Sequence, residues 1–182
     1  TGCLSPRQIQ YEINQYESEV CENESTYWLY FELLWRDYFK FLAEHQQQSF
    51  FKIEGLQNKT INYPDAETCE QAFEEWRLGL TAQPFVNACM KELLTTGWLS
   101  NRGRQNVASY LAKSLKVTWT WGARWFERQL IDYDPESNWG NRAYVAGVGV
   151  DPRDRTFNVE RQAQIYDPDQ EYQKLFLKKE SQ

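Results

Sequence analysis

The chain has 182 residues, with 20 Lys and Arg against 26 Asp and Glu, a formal net charge of −6. That balance excludes strong non-specific binding to nucleic acid, which runs on phosphate neutralisation, and leaves open only a local basic patch. Cys3, Cys21, Cys69 and Cys89 stand far apart, with no CxxC and only His45 as an imidazole, which excludes a zinc site and reads as ordinary thiols of a reducing compartment.

No apolar run reaches membrane-spanning length and no secretory leader is visible, so the expected location is the cytoplasm or an organelle stroma or matrix. The length suits one domain over 1–182 with a substantial core. Eight Trp, eleven Tyr and ten Phe exceed what a minimal core needs, which implies either aromatic packing or the surroundings of a chromophore.

Ser5-Pro6 is an N-cap followed by Pro at the first helical position, so a helix is predicted from there to about Val20. Ser25 is read as the cap of the next, running to about Glu44. Its apolar residues (Trp28, Tyr30, Phe31, Leu33, Leu34, Phe39, Phe41, Leu42) cover nearly every direction, which predicts a central, buried helix. Glu32, Trp35, Arg36 and Phe39 share one face by the i, i+3, i+4, i+7 rule, and the two charges there need partners. Residues 46–67 lack periodicity and read as a long loop, a kind that is more often functional than idle.

Helix resumes near Thr68 and ends by Gly79. Pro84 opens another with Phe85, Ala88, Cys89 and Leu93 on its core side, closed by Gly97. Ser100 starts the stretch on which the rest turns, SNRGRQNVAS (100–109). There Asn101, Arg104 and Gln105 stack on one face, with the short Ala108 closing it. Val107, Tyr110, Leu111 and Leu115 form the adjoining apolar stripe. An uncompensated Arg104 would be costly, so it needs an anion, and the candidates Asp132 and Asp134, with Asn138, follow in LIDYDPESN (130–138). Trp119 to Ile131 reads as helix with Trp121, Trp125 and Leu130 as packers. A shorter helix from about Ser137 to Ala146 is weakened by Gly140. Gly147-Val148-Gly149 and Pro152 then break the pattern. Short turns follow at Val159 to Gln164 and Asp169 to Leu175, before a charged end. No strand alternation or internal repeat stands out, and the fold class read from the chain is all-α.

The stretches ESTYWLYFELLWRDYFKFLA, ELLTTGWLSNRGRQNVASYLAKSL and WGARWFERQLIDYDPESNWGN together resemble the helical FAD-binding domain of the photolyase/cryptochrome family. LLWRDYF, the Gln after NRGR, and LIDYD are most similar to its DASH branch. The likeness runs in register from GCLSPR (2–7) to YDPDQEY (166–172). The resemblance implies an FAD cofactor, with Arg104 and Asp132 as an ion pair beside the isoalloxazine. Asp134 would accept from the flavin edge or ribityl chain, and Asn138 would face its N5. Asn101, Arg36 and Trp98 would be further cofactor neighbours, and Arg102 a contact to flavin or lesion. In repair members Glu32 would hydrogen-bond a flipped pyrimidine dimer, with Trp35, Gln105 and Tyr144 as its wall, and the flavin would carry the hard chemistry. Taken singly, Trp35 and Trp98 read equally as core aromatics, and Arg104–Asp132 as a structural bridge.

Against the family pattern, the Ser/Thr-rich diphosphate loop and the α/β antenna domain are expected to lie outside 1–182, which lowers the expected FAD affinity. In the tryptophan relay Trp119 matches the middle member, Tyr63 falls at the outer position, and the flavin-proximal position is Arg142, which cannot donate an electron. TAQPFVNA (81–88) replaces a family Gly, Tyr and Asp with Ala82, Gln83 and Asn87. Two functions follow. One is blue-light flavin photochemistry, as dimer repair on damaged or single-stranded DNA (a photolyase-type lyase) or as signalling. The other is a non-catalytic scaffold that keeps the helical fold and docks to other protein chains of a larger assembly.

Overall fold

The computed structural model describes residues 3–151 and 156–178. Among them every regular element is helical: α1 Pro6–Glu19, α2 Glu24–Gln46, α3 Ala66–Arg77, α4 Pro84–Thr96, α5 Asn101–Ser109, α6 Trp119–Gln129, α7 Pro135–Ala146, α8 Val159–Tyr166 and α9 Glu171–Leu177. None is long and apolar enough to cross a membrane. Pro152 and the charged end from 179 lie outside the described residues.

Local cap chemistry sets most of the boundaries. Ser5 Oγ accepts from Gln8 N at 3.1 Å, and Ser100 Oγ from Gly103 N at 3.1 Å, so both helices begin where their hydroxyls satisfy a free N–H. α4 starts on Pro84 and ends against Gly97, whose left-handed φ of 69° suits glycine. The start of α2 differs from expectation, because Asn23, not Ser25, caps it. Asn23 Oδ1 accepts from Ser25 N and Thr26 N while Thr26 Oγ1 accepts from Asn23 N, a reciprocal box that Ser25 cannot make from inside the first turn. Asp65 caps α3 in the same way, moving its start ahead of Thr68.

The core lies under α3 to α6. Trp76, Val86, Met90, Leu93, Val107 and Phe126 are fully buried there. Trp76 Nε1 donates to Val107 O at 2.9 Å, so the largest core side chain also finds its polar partner. Phe85, Ala88, Cys89 and Leu93 sit inside as their spacing required. α5 does not stop at Ser109 but widens into a π-helical turn over Tyr110–Ser114, which sends Leu111 inward. A second cluster gathers Phe50, Trp119, Ala123, Trp139, Ala143 and Val148. It organises much of the segment expected to be a free loop: α2 runs on to Gln46, a 3-10 turn at Gln47–Phe51 buries Phe50, and Ile53 O accepts from Trp119 Nε1 at 2.9 Å.

One expectation fails for a tertiary reason. α2 is not central: Trp28, Leu29, Leu34, Trp35 and Phe41 are exposed, and only Thr26 and Phe39 are buried. At 23 residues it outruns the elements packed on it, which are α1, α7 and the 3-10 turn, so most of its aromatic girdle faces outward. On α6, Trp121 and Trp125 pack half-buried against the core beside the buried Leu130, as their spacing predicts, and Gly122, Ala123 and Phe126 are fully enclosed.

Gly140 carries the meeting of α2 and α7. A Cβ there would fall inside the contact distance of the Phe39 ring, so the residue that lowers helix propensity is what allows the two helices to approach. Beside it Arg142 is 5% exposed, with Nη1 donating to Arg104 O at 2.9 Å, its guanidinium 4.5 Å from the Phe126 ring centroid, and Nε without a partner. Burial, and then the like charge of Arg104, push its pKa down to about 9.

Gly140→Ala should cost about 1–3 kcal/mol in urea unfolding, with Phe39→Leu in the same chain recovering part of the loss; an unchanged midpoint contradicts this packing. Arg142→Met should gain about 1–2 kcal/mol near neutral pH, since it removes a buried, uncompensated charge. The unfolded chain holds more protons than the folded one between about 9 and the ordinary 12.5, so the parent becomes more stable as pH rises through that window. The gap between parent and variant should therefore narrow above pH 9, and a gap constant with pH would show that the charge is not its cause.

Candidate functional site

α4 ends at Gly97, and Ile131 N donates back to Gly97 O at 2.9 Å, which brings the α6–α7 connection beside the start of α5. That approach places Asp132 in front of Arg104. The guanidinium Nη2 meets Asp132 Oδ1 at 3.0 Å and Oδ2 at 2.9 Å, and Nε donates to Leu99 O at 2.6 Å. The Arg104 side chain is 18% exposed and that of Asp132 46%, so the pair stands at the surface end of the site.

Asp134 is committed locally. Its Oδ2 accepts from Ser137 N at 3.1 Å and Ser137 Oγ at 2.5 Å, which caps α7. Asn138 is buried, and its Nδ2 donates to Ala123 O at 3.0 Å, tying α7 to α6. Asn141 Nδ2 donates to Ser137 O at 2.8 Å.

A hollow of about 160 Å³ opens between α2, α5 and α7, lined by Glu32, Trp35, Phe39, Asn101, Gln105, Asn141 and Tyr144. Trp35 stacks on Phe39 at 5.6 Å with an interplanar angle of 30°. Glu32 and Asn101 are exposed at its edge, whereas Gln105 Oε1 is buried with no hydrogen-bond partner. A buried acceptor left open costs about 1–3 kcal/mol. Three amides and three aromatic rings suit a flat heteroaromatic ring with polar edges. The volume is below that of an ordinary ligand cleft, about 300–1,000 Å³, so it takes a ring system rather than a whole dinucleotide.

The predicted residues divide into three groups. Glu32, Trp35, Asn101, Gln105 and Tyr144 gather round the hollow. Arg104 and Asp132 join each other beside it without lining it, as does Asn138 behind it. The remaining residues are placed elsewhere or otherwise engaged. Arg36 pairs with its neighbour Asp37 at 2.7 Å instead of with Glu32, because adjacent residues at the surface reach each other more readily than the inward face. Trp98 is 45% exposed. Arg102 lies over the Tyr166 and Phe157 rings at 5.3 and 5.9 Å, held on the α8 side of α5. Trp119 stands in the second cluster, edge to face with Trp139 at 5.5 Å, while Arg142 is buried beside Phe126. Asn141 was missed, although it precedes Tyr144 by three and follows Asn138 by three, a spacing that marks it. Among the described residues no group of His, Cys, Asp and Glu is placed to hold a metal ion.

Comparison with known proteins places this geometry. Residues 28–181 match the family model described as the FAD binding domain of DNA photolyase. Cryptochrome DASH of Synechocystis sp. is 54% identical over 177 residues, covering 97% of this chain and 36% of that protein. Cryptochrome DASH of Natronomonas pharaonis is 54% identical over 171 residues, 94% of this chain and 35% of that one. The chain thus spans about a third of the length of the curated relatives it matches. Among solved structures, the Synechocystis cryptochrome superposes with a TM-score of 0.91 at 52% identity, covering 97% of this chain and 36% of that one. An archaeal photolyase from Sulfolobus tokodaii, solved with two FAD molecules, gives 0.81 at 33% identity over 97% of this chain and 38% of that one. The chain belongs to the photolyase/cryptochrome family, as its helical FAD-binding domain, with DASH cryptochromes among its similar relatives.

Proposed function

We propose that the chain binds FAD through the α2–α5–α7 hollow and its Arg104–Asp132 rim, and serves blue-light flavin photochemistry directed at pyrimidine-dimer repair in DNA. The observation that carries this reading is a hollow lined by three amides, Gln105 among them, and three aromatic rings next to a preformed ion pair. When bound, the flavin supplies light-driven electron donation.

The chain's own residues supply binding and orientation. Arg104 and Asp132 form a rigid polar rim whose geometry is set before any ligand arrives, which lowers the cost of ordering on binding. Asn101 belongs to the side of the hollow nearest that rim, and Asn138, its Nδ2 already engaged, keeps Oδ1 for a ring nitrogen. Asp134 acts through α7, holding the helix start that carries Asn138 and Asn141. On the other side, the Glu32 carboxylate at the edge accepts from the ring N–H of an extruded pyrimidine. Trp35 and Tyr144 give it an aromatic wall in place of its lost stacking. A lesion already weakly stacked costs least to extrude, so the site favours damaged or single-stranded DNA.

The scaffold reading has its own observation. Trp28, Leu29, Leu34 and Phe41 leave much apolar surface exposed around α2, and exposed apolar surface of this size marks association.

Flavin binding decides between the two readings. Titration with FAD, followed by quenching of flavin fluorescence, should give one site. Gln105→Leu, which keeps the shape and removes the acceptor, should weaken it about five- to tenfold, equivalent to about 1–1.4 kcal/mol. Blue light on the reconstituted chain should clear dimers from an irradiated oligonucleotide, and Glu32→Ala should slow this with flavin affinity unchanged. A chain that retains no flavin sinks the photochemical reading and leaves the scaffold.

A further inference from the structure

α6 turns a second functional face away from the hollow. Trp121, Arg124, Trp125 and Arg128 recur at i, i+3, i+4 and i+7, so they form one stripe along the helix. Opposite them α3 sets Phe73, Glu74 and Arg77, and the two helices enclose a groove of about 370 Å³. It shares no residue with the hollow between α2, α5 and α7.

The floor is aromatic. Phe73 meets Trp121 edge to face at 5.5 Å and 73°, and Trp125 at 6.3 Å and 88°. Trp125 Nε1, a donor with no accepting alternative, is buried without a partner. One wall is cationic. Glu74 is taken by Arg77, whose guanidinium also lies over the Trp125 ring at 5.1 Å. Arg124 and Arg128 are exposed and form no ion pair among the described residues. On a chain with a net charge of −6, the groove is a local reversal of sign.

We propose that this groove binds a nucleoside phosphate, its base on the Trp121–Trp125 floor and its phosphate on Arg124 and Arg128. A bare anion needs no aromatic floor, and an apolar ligand needs no pair of free guanidiniums. A base carrying a phosphate uses both, and the space suits one nucleotide unit. Guanidinium forks match phosphate oxygens in pairs, and base stacking on indole tolerates any base. The same chemistry arises in a free nucleotide and in one unit of a single strand. The groove stands whether or not the hollow takes flavin.

The test uses the 182-residue chain with fluorescein-labelled hexathymidylate, read by anisotropy, and with AMP, read by quenching of indole fluorescence. Arg124→Gln/Arg128→Gln, both at exposed positions, should weaken binding at least tenfold. For the strand it should also flatten the dependence of log affinity on log salt by about 0.7, the share of the one phosphate contact released. Removing the same two charges at Arg7 and Lys52 should change neither. Trp121→Leu should weaken binding with the salt slope intact. Saturable AMP binding with this sensitivity to the arginines makes the occupant a free nucleotide; binding of the strand alone makes it a strand. Affinity and salt slope unmoved by the double arginine replacement overturn the proposal. So does polyglutamate binding as tightly with the same arginine dependence, which would reduce the groove to a plain anion site.

Discussion

The Arg104 guanidinium carries a charge that must be answered by a carboxylate or left in water. The chain answers it from 28 positions away, with both Asp132 oxygens on one nitrogen. That pairing fixes the α6–α7 connection against the start of α5, and the site follows from it. α7 then begins on Asp134 at a set distance from α5, Asn138 reaches Ala123, and the space left between α5, α7 and α2 is the hollow. Because the pair sits at the surface end, its net worth to stability is modest, and its larger effect is on position. Gly140 acts in the same sense from the opposite side, since any larger residue would push α2, and with it Glu32 and Trp35, away from Gln105.

What could be read from the chain was what is local. Ser5-Pro6, Pro84 and Ser100 announce helix starts because the cap and its N–H lie within three residues of each other. Arg104 with Asp132 was legible because an isolated buried cation is costly, and only one nearby motif offered carboxylates. The grouping of Glu32, Trp35, Gln105 and Tyr144 came from likeness to a family rather than from spacing, since three helices contribute them. What escaped was tertiary. Nothing in α2 says how much of an all-round aromatic helix its neighbours will cover. The length of that helix against theirs decides it. Arg102 sits on the same turn as Arg104, yet its rotation about the axis sends it to Tyr166. Gly140 reads as a defect until Phe39 is in place.

Arg142 shows how a core can hold a charged side chain and keep its fold. It keeps a helical position between α5 and α6, lends one hydrogen bond to Arg104 O, and sits on Phe126. Its charge finds no carboxylate there, so it is carried at a cost that the surrounding packing offsets. The neighbouring Trp119–Trp139 contact remains aromatic and close. The acidic chain therefore keeps its basic residues in two distinct uses. Arg104 and Arg142 are internal to the architecture, whereas Arg124 and Arg128 stand free on the outer face of α6.

The central claim is that the hollow beside the Arg104–Asp132 pair receives a flat, polar-edged ring. The most direct measurement is the movement of the side-chain amide resonances of Asn101, Gln105 and Asn141 in the 15N-labelled chain as FAD is added. The account requires all three to shift together and to saturate at one equivalent, with the Gln105 amide moving furthest. Amides that stay still while the flavin binds, or shifts confined to the Trp121 and Trp125 indoles, would place the ring elsewhere and contradict it.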